Sequence, residues 1–476
     1  MPSSSRITDT REKALRINLD PSRYGSFAEI GAGQEVARWF FRVGGAAGTI
    51  AKSISAYDMA VSDAIYGRAE RYVSRARLEA MLEHEHQLNR ERLQESRGAS
   101  TAFFSFADTV SARSYKGGNE CHGWMGVKFQ SHPRDQDSCI LIHVRMLDRE
   151  NLLQQEALGI VGVNLLFGAF FHFHEPEQLV ESLLDGLTTS RVEIDMIEFS
   201  GIEFRYVDNR FMSLKLVELG LSGAAMFDPA GHVLQPSEAL YKKHVLVQRG
   251  NFRPVCLSHL DILRSARERQ LADLGPTVRE SDHLELAELT LQNLRNERGE
   301  LDKSDFLARA DTLAAAGKTV LVSDYFEFHR LAGYIARYTK KQPGFVIGAG
   351  TLSELLGDAS AAGLEGGMLE AFGRLFRNDL TLYVYPLLDP TSGELTTAEN
   401  FDPGPRLRGL YRHLLSAGSI RGLDNYDSER LPIFSRDVLA KLQRGETSWE
   451  ALVPPPVAAV IRARGLFGFR AQKTAA

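Results

Sequence analysis

The hydrophobic pattern changes character three times along the 476-residue chain. Residues 1–25 are polar and predict a loose arm. From 36 to about 97 apolar positions recur at helical spacing and run into the charged stretch RLEAMLEHEHQLNRERLQESRG. Between 102 and 250 short apolar runs (FFSFADTV, WMGVKFQ, CILIHVRML, VEIDMIEF, HVLVQRG) alternate with Gly, Asp, Asn and Pro, which predicts strands and turns. Residues 151–190 add helix-forming apolar stretches, so this middle region reads as α+β. The rest is more regular. A strand at 245–248 is followed by the helix LSHLDILRSARERQLADL, closed by Gly275 and Pro276, and by a charged, mostly helical stretch from about 280 to 316. Strands at 319–323, 345–348 and 380–386 then alternate with helices.

Alternating strands and helices predict a parallel sheet with right-handed crossovers. The expected fold class is therefore multidomain α/β, with a mixed α+β N-terminal half and a Rossmann-like parallel α/β C-terminal half. Four segments are expected: an arm and helical region at 1–98, a mixed α+β domain at 99–240, the Rossmann-like domain at 241–400, and a helical docking segment at 401–476. A string at 226–232, Met-Phe-Asp-Pro-Ala-Gly-His, reads as a β-hairpin turn.

Composition narrows the partners. The 43% hydrophobic and 25% charged fractions are those of a globular protein. A net charge of −5 offers no broad basic field for a nucleic-acid backbone, so no nucleic-acid partner is expected. The uncharged run at 157–171 falls short of the roughly 20 residues a spanning helix needs and reads as a buried element. No membrane partner is expected, and the N-terminal residues lack the apolar core of a signal peptide. Three cysteines suit a reducing compartment, and the expected location is the cytoplasm.

Candidate chemistry concentrates at 245–266. In an open parallel sheet ligands bind beyond the carboxyl ends of the strands. Those ends carry Gly250-Asn251-Phe252, Ser323-Asp324, Gly348-Ala349-Gly350 and Tyr385-Pro386. The first end continues as VLVQRGNFRPVCLSHLDILRSA, with Ser258 and His259 opening an amphipathic helix. This string resembles the signature of the nucleotidyltransferase superfamily that includes nicotinate-nucleotide and phosphopantetheine adenylyltransferases: a strand, G-x-F-x-P, then [T/H]-x-G-H at a helix start. Gly250, Phe252 and Pro254 match, and His259 falls on the second histidine. Cys256 stands where the family has Thr or His, and Ser258 where it has Gly. The family's second motif, a Ser/Thr-rich loop with Arg, has only Thr351-Leu352-Ser353 as a counterpart, without the Arg.

The resemblance implies adenylyl transfer to a small phosphorylated metabolite such as a nicotinate or nicotinamide mononucleotide, using ATP and Mg²⁺. On this reading His259 stabilises charge at phosphorus, while Arg249, Gly250, Asn251, Phe252, Ser258, Asp324, Gly348 and Gly350 bind the nucleotide. Arg249 or Lys243 would neutralise phosphate. The physical basis is the positive potential of a helix N-terminus and in-line displacement driven by positioning. A non-catalytic nucleotide-binding or sensing protein is the alternative.

Over most of its length the chain also resembles a bacterial family of about this size, through EIGAGQEVARWFFRVGGAAGTIAKSISAYD, NECHGWMG, QQEALGIVGVNLLFGAF, RGNFRP and GGMLEAFGRLF. Members of that family carry the labels nicotinate-nucleotide adenylyltransferase or TonB-dependent receptor. A receptor barrel needs a secretion signal and many amphipathic strands of about ten residues, which this pattern does not supply.

Three other clusters compete. Residues 27–37 predict a strand and a Gly31–Gly33 turn into a helix, with Asp58 at about the spacing of a ribose-binding acid, which would suit NAD or S-adenosylmethionine. The acidic Glu29 argues against a central parallel strand there. His172 and His174 beside Glu175 have the alternate spacing of metal ligands on a strand, and His122, His132 and His143 lie nearby. Cys139 and His143 share a strand face about 13 Å apart, too far for one ion. Finally, 119–122 (Asn-Glu-Cys-His), Glu193 with Asp195, and 208–210 (Asp-Asn-Arg) are polar groupings, and the paired carboxylates could hold Mg²⁺.

Overall fold

The computed structural model describes residues 6–31, 33–113, 120–357 and 361–470. The protein is multidomain α/β, and the chain divides into two compact units, Met1–Gly223 and Ala224–Ala476, where four segments were expected.

The first unit is built on a six-stranded sheet, order β2-β1-β3-β4-β5-β6, from β1 (Arg23–Gly31), β2 (Ile50–Ile54), β3 (Ala102–Ser111), β4 (His122–Gln130), β5 (Asp137–Met146) and β6 (Val192–Gly201). β1 pairs parallel with β2 and β3, and the remaining pairs are antiparallel. Its helices are α1 (Thr10–Asn18), α2 (Val36–Val43), α3 (Met59–Tyr66), α4 (Arg75–Arg97), α5 (Asn151–Phe171), α6 (Pro176–Ser182) and α7 (Asn209–Glu218). On one sheet face Phe27, Phe104 and Phe106 meet Phe40 of α2 and Phe170 of α5. On the other, Asn89 of α4 donates to Ser26 Oγ at 2.9 Å and Ser105 Oγ at 3.2 Å. Where 157–171 reads as a buried element, α5 is long and apolar enough to cross a membrane, and 78% of its most apolar window is buried in the unit. The arm expected at 1–25 instead contains α1, anchored by the fully buried Lys13, whose Nζ donates to Asn164 Oδ1 (2.8 Å) and Asp185 Oδ2 (2.7 Å). The strand expected at 27–30 is real and longer than its apolar core, and β2, absent from the helical reading of 36–97, pairs beside it.

The second unit holds an eight-stranded sheet made of β7 (Ala224–Phe227), β8 (Val233–Leu234), β9 (His244–Arg249), β10 (His283–Thr290), β11 (Thr319–Ser323), β12 (Gly344–Gly348), β13 (Thr381–Tyr385) and, after the small ladder β14 (Leu387–Leu388) and β15 (Leu395–Thr396), β16 (Ile420–Gly422). Its order is β16-β13-β12-β9-β10-β11-β7-β8. The β7–β8 hairpin expected at 226–232 forms, with Asp228 accepting from the His232 backbone N–H at 2.9 Å. Helices α8 (Pro236–Ala239), α9 (Leu257–Leu274), α10 (Lys303–Ala315), α11 (Phe328–Tyr338), α12 (Ala349–Leu355), α13 (Gly367–Leu375), α14 (Arg408–Ser416), α15 (Ser435–Gln443) and α16 (Pro455–Arg464) complete the unit. The six parallel strands run third-second-first-fourth-fifth-sixth from the β11 side, so strand order reverses between β9 and β12. This is the doubly wound dinucleotide-binding order, in which the reversal point is where ligands sit. Apolar side chains fill both faces. Leu246, Leu263, Val346 and Tyr383 lie on the α9 side, and Val245, Val247, Leu331, Ile335 and Phe345 lie on the other. The C-terminal segment contributes β16 to this sheet, and Arg464 of α16 pairs with Asp311 of α10 at 2.5 Å.

Candidate functional site

A cleft of about 750 Å³ opens where β9 and β12 end, within the size range of small-ligand sites. Parallel pairing of these strands extends from Leu246–Gly344 to Gln248–Val346, and the cleft begins there. Its walls are Gln248 to Asn251, His259 and Ile262 of α9, Thr290 at the end of β10 with Gln292 and Asn293 beyond it, Phe326 to Phe328 at the start of α11, and Val346 to Gly348 with Thr351 and Glu354 of α12.

Local chemistry explains the turn between β9 and α9. Phe252 is buried and adopts a positive φ of 45°, costly for a bulky residue, so its surroundings must hold it. Its ring lies 4.9 Å from the His259 ring, and a Cβ added at Gly250 would come within 3.0 Å of it. Ser435 clamps the following cis Arg253–Pro254 segment, accepting from Arg253 N–H at 3.2 Å and donating to Pro254 O at 3.1 Å. Arg309 donates to the Asn251 carbonyl at 3.2 Å. His259 Nδ1 accepts the Cys256 backbone N–H at 3.0 Å, in the position a Glu or Gln takes in a capping box. That bond fixes the tautomer with the proton on Nε2. Burial pushes the imidazole down to about 4, so at neutral pH His259 is an uncharged N–H donor. Cys256 donates its thiol to Pro254 O, and burial pushes the thiol up to about 12, which makes it a structural cap and not a nucleophile.

The expected site residues divide accordingly. Arg249, Gly250, Asn251, His259 and Gly348 line the cleft, as does Thr351 of the Thr-Leu-Ser string. Phe252 lies beneath it, Ser258 is buried in the first turn of α9, and Asp324 and Gly350 are exposed outside its described lining. Arg249 does not offer a free guanidinium. It makes two bonds to the fully buried Glu288 (2.8 and 3.0 Å), donates to the Tyr325 and Phe326 carbonyls, and covers the Phe328 ring at 4.2 Å. Lys243 precedes β9, at the amino end of that strand about 20 Å away along six residues, and donates to Ser281 O. It cannot serve phosphate in this cleft. Two carboxylates line the cleft, Glu354 and Glu327, the latter 3.4 Å from Arg330. Among the described lining residues Arg249 is the only cation. The sequence reading missed Gln248, Thr290, Gln292, Asn293, Glu327 and Glu354. Gln248 and Glu327 lie at element ends that were legible, whereas Thr290 ends β10 and Gln292 and Asn293 follow it, a strand inside the stretch read as helical.

The competing clusters take other forms. Ala32 lies outside the described residues. Glu29 caps the helix behind the Gly31–Gly33 loop, accepting from Val36 N–H (2.8 Å) and Ala37 N–H (3.1 Å), so the chain's own carboxylate occupies the place a phosphate would take. Beside it lies the fully buried Asp108, in register with Glu29, and a Cβ on Gly33 would fall 1.9 Å from its carboxylate. Asp58 caps α3. Burial raises Glu29 to about 7 and Asp108 well above the usual carboxylate range, the neighbouring Glu29 adding to the latter. Both groups bind protons more tightly folded than unfolded. Their contribution to stability is therefore full below the unfolded carboxylate range and is lost as pH rises from about 4.5 through 7. The expected loss from Glu29 is on the order of 3 kcal/mol. Urea titrations of wild type and Asp108→Asn between about pH 5 and 8 test this. Wild type should lose more stability with rising pH than the variant does, and a loss in the variant equal to or larger than that of wild type would contradict it.

His172 is the C-cap of α5 and His174 lies in the following turn, so they do not alternate on a strand face. No group of three or more metal-ligating side chains forms among the described residues. His143 bridges the fully buried Asp195 (2.6 Å) and His122 (3.0 Å), Glu193 pairs with Arg145, and Asp208 pairs with Arg210 at 2.7 Å. The carboxylates Glu193 and Asp195 are thus committed to a cation and an imidazole. His132 pairs with Asp135 on the surface. Gly117, Gly118 and Asn119 lie outside the described residues.

No family model matches the chain, and no curated protein matches it. Among solved structures it is similar to the competence/damage inducible protein CihA from Agrobacterium tumefaciens, at 16% identity over 33% of this chain and 94% of that one, with a TM-score of 0.25. It is also similar to a competence-damaged protein (CinA) superfamily protein from Klebsiella pneumoniae, at 15% identity over 34% and 94%, with a TM-score of 0.23.

Proposed function

We propose that the second unit binds a nucleoside triphosphate in the β9–β12 cleft and transfers its nucleotidyl group to a small phosphorylated acceptor. The observation that carries this reading is the placement of the signature residues. Gly250, Phe252, Pro254 and His259 fall in the first strand-to-helix turn of a doubly wound sheet, with His259 lining the cleft at the point where strand order reverses. In the reaction an acceptor phosphate oxygen bonds to the α-phosphorus as the bond to the β-phosphate bridge breaks, and pyrophosphate leaves with that electron pair. The N-terminal end of α9 and the His259 Nε2–H face the developing charge.

Glu327 and Glu354 are the carboxylates available to a Mg²⁺ that arrives with the phosphates, and one or two protein carboxylates plus phosphate oxygens are that ion's usual ligands. When bound it would supply the positive charge that the paired Arg249 does not. The three free thiols suit a reducing compartment, and we place the protein in the cytoplasm.

The locked Arg249 and the inert Cys256 favour a second reading, a site that binds nucleotide without turning it over. Calorimetry with ATP and Mg²⁺, run beside a pyrophosphate-release assay with a mononucleotide acceptor, separates the two. Binding with release supports transfer, binding without release supports the sensor, and no binding contradicts both.

A further inference from the structure

At the rim of the first unit's sheet, where β3 ends and β4 begins, a hydrogen-bonded relay runs outward from a buried acid. Asp195 and His143 are fully buried, and His143 Nδ1 lies 2.6 Å from Asp195 Oδ1. The register between β5 and β6 skips Asp195, and a bulge of this kind re-aims a side chain. An ionised carboxylate only accepts, so this bond puts the His143 proton on Nδ1 and leaves Nε2 of the neutral ring as an acceptor. His122 Nδ1, 3.0 Å from that Nε2, is then the donor, and His122 Nε2 keeps a lone pair. Burial, and next the neighbouring His143, lower the His122 imidazole, which is therefore uncharged at neutral pH. The Trp124 ring, edge-on and 5.0 Å from His143, holds the middle imidazole in place.

A nucleophile stands beside that lone pair. Ser111, the last residue of β3, is paired in register with His122. Directly opposed residues on antiparallel strands share a face, with Cβ atoms about 4.5–5.5 Å apart, which brings a serine hydroxyl within reach of an imidazole. His143 lies on the other flank, on β5, so His122 stands between its orienting partner and Ser111. Exposure follows the same line. Asp195 and His143 are sealed, whereas Ser111 and His122 are half-buried and reach solvent. Cys121 and Arg145, the chain and register neighbours of His122, line a pocket of about 300 Å³. The pocket also holds Arg113 and Arg149, which form no ion pair among the described residues, and their charge favours an anionic group on the molecule that enters.

We infer that Ser111, His122, His143 and Asp195 form a second reactive centre, which hydrolyses small carboxylic esters with an acidic acyl chain. Ser111 Oγ bonds to the acyl carbon as its proton passes to His122 Nε2, and the alcohol leaves with that proton. Water then attacks the acyl-Ser111 ester and gives a proton to His122, which returns it to Ser111 Oγ as the free acid departs. His143 and Asp195 are positioning residues that hold the tautomer and offset the charge His122 gains. Mono-p-nitrophenyl succinate, p-nitrophenyl acetate and a fluorophosphonate probe test this on the full chain. Wild type should turn over both esters, the succinate with a KM about ten-fold lower, and the probe should label Ser111. Ser111→Ala and His122→Gln should each lower turnover by about 10³-fold or more at an unchanged unfolding midpoint. Asp195→Asn should lower kcat by a similar factor and leave KM in place, because it upsets the tautomer and not the binding. Inert wild type, label on another residue, or turnover retained in Ser111→Ala would overturn the centre. A kcat that holds in Asp195→Asn would overturn the relay, and equal KM values for the two esters would overturn the acidic acyl chain.

Discussion

Exchange of His259 for alanine is expected to lower nucleotidyl transfer roughly 10²–10³-fold, the cost of removing one donor aimed at developing charge. The geometry makes the effect specific to the Nε2–H. Nδ1 is held by the Cys256 backbone N–H at 3.0 Å, and the ring is fixed from below by Phe252 at 4.9 Å. Because burial pushes the imidazole down to about 4, its protonation should leave no inflection in the rate between about pH 6 and 8. The same shift sets a stability trend. The folded ring binds its proton less tightly than the unfolded one, so its contribution is full above about 6.5 and is lost as pH falls towards 4. Alanine also removes a cap from α9, worth about 1 kcal/mol, so the unfolding midpoint should drop by a few degrees while the fold persists. Pyrophosphate release and thermal unfolding, measured on the same preparation, check both parts. Unchanged turnover in a folded variant would remove His259 from the mechanism.

The second large effect is structural. Arg249→Ala is expected to destabilise the second unit by about 3–5 kcal/mol, because it leaves Glu288 buried with only the Ser323 hydroxyl, which donates at 2.6 Å. Arg249 also ties the end of β9 to the carbonyls of Tyr325 and Phe326 beyond β11, so the cleft wall should loosen with it. The paired replacement Arg249→Met with Glu288→Leu removes the charge together with its partner and should recover most of the loss. Denaturant midpoints for the single and double variants measure this. A single variant as stable as wild type would mean that the pair contributes nothing to folding.

These two residues also show what the sequence could convey. The strand and helix around 245–266 were legible because an apolar run, a glycine turn and an amphipathic helix follow one another within a short window. β10 was not. HLELAELT carries Glu285 and Glu288, and the arginine that makes Glu288 tolerable lies 39 residues earlier, beyond any local pattern. With β10 unseen, the cleft residues that follow it were unseen as well. Similar reasons hid α1, where buried Lys13 depends on Asn164 and Asp185 far along the chain, and β2, an edge strand whose burial merely alternates. Glu29 argued against a central strand at 27–30, yet its carboxylate is satisfied by the first turn of α2, a contact that only the folded turn creates. The histidine pair at 172 and 174 had metal-ligand spacing for a strand, but the apolar run before it continues as helix to Phe171. At the site, residue types were readable and their availability was not. Arg249 is spent on Glu288, and His259 is held neutral.

The central claim is that nucleotide enters the β9–β12 cleft and not the glycine loop after β1. Photolabelling the full chain with an azido-adenine analogue of ATP in the presence of Mg²⁺, followed by peptide mapping, tests it directly. The account predicts label, competed away by ATP, on peptides from 248–262, 290–293 or 346–357. Competable label on 29–40 would contradict it.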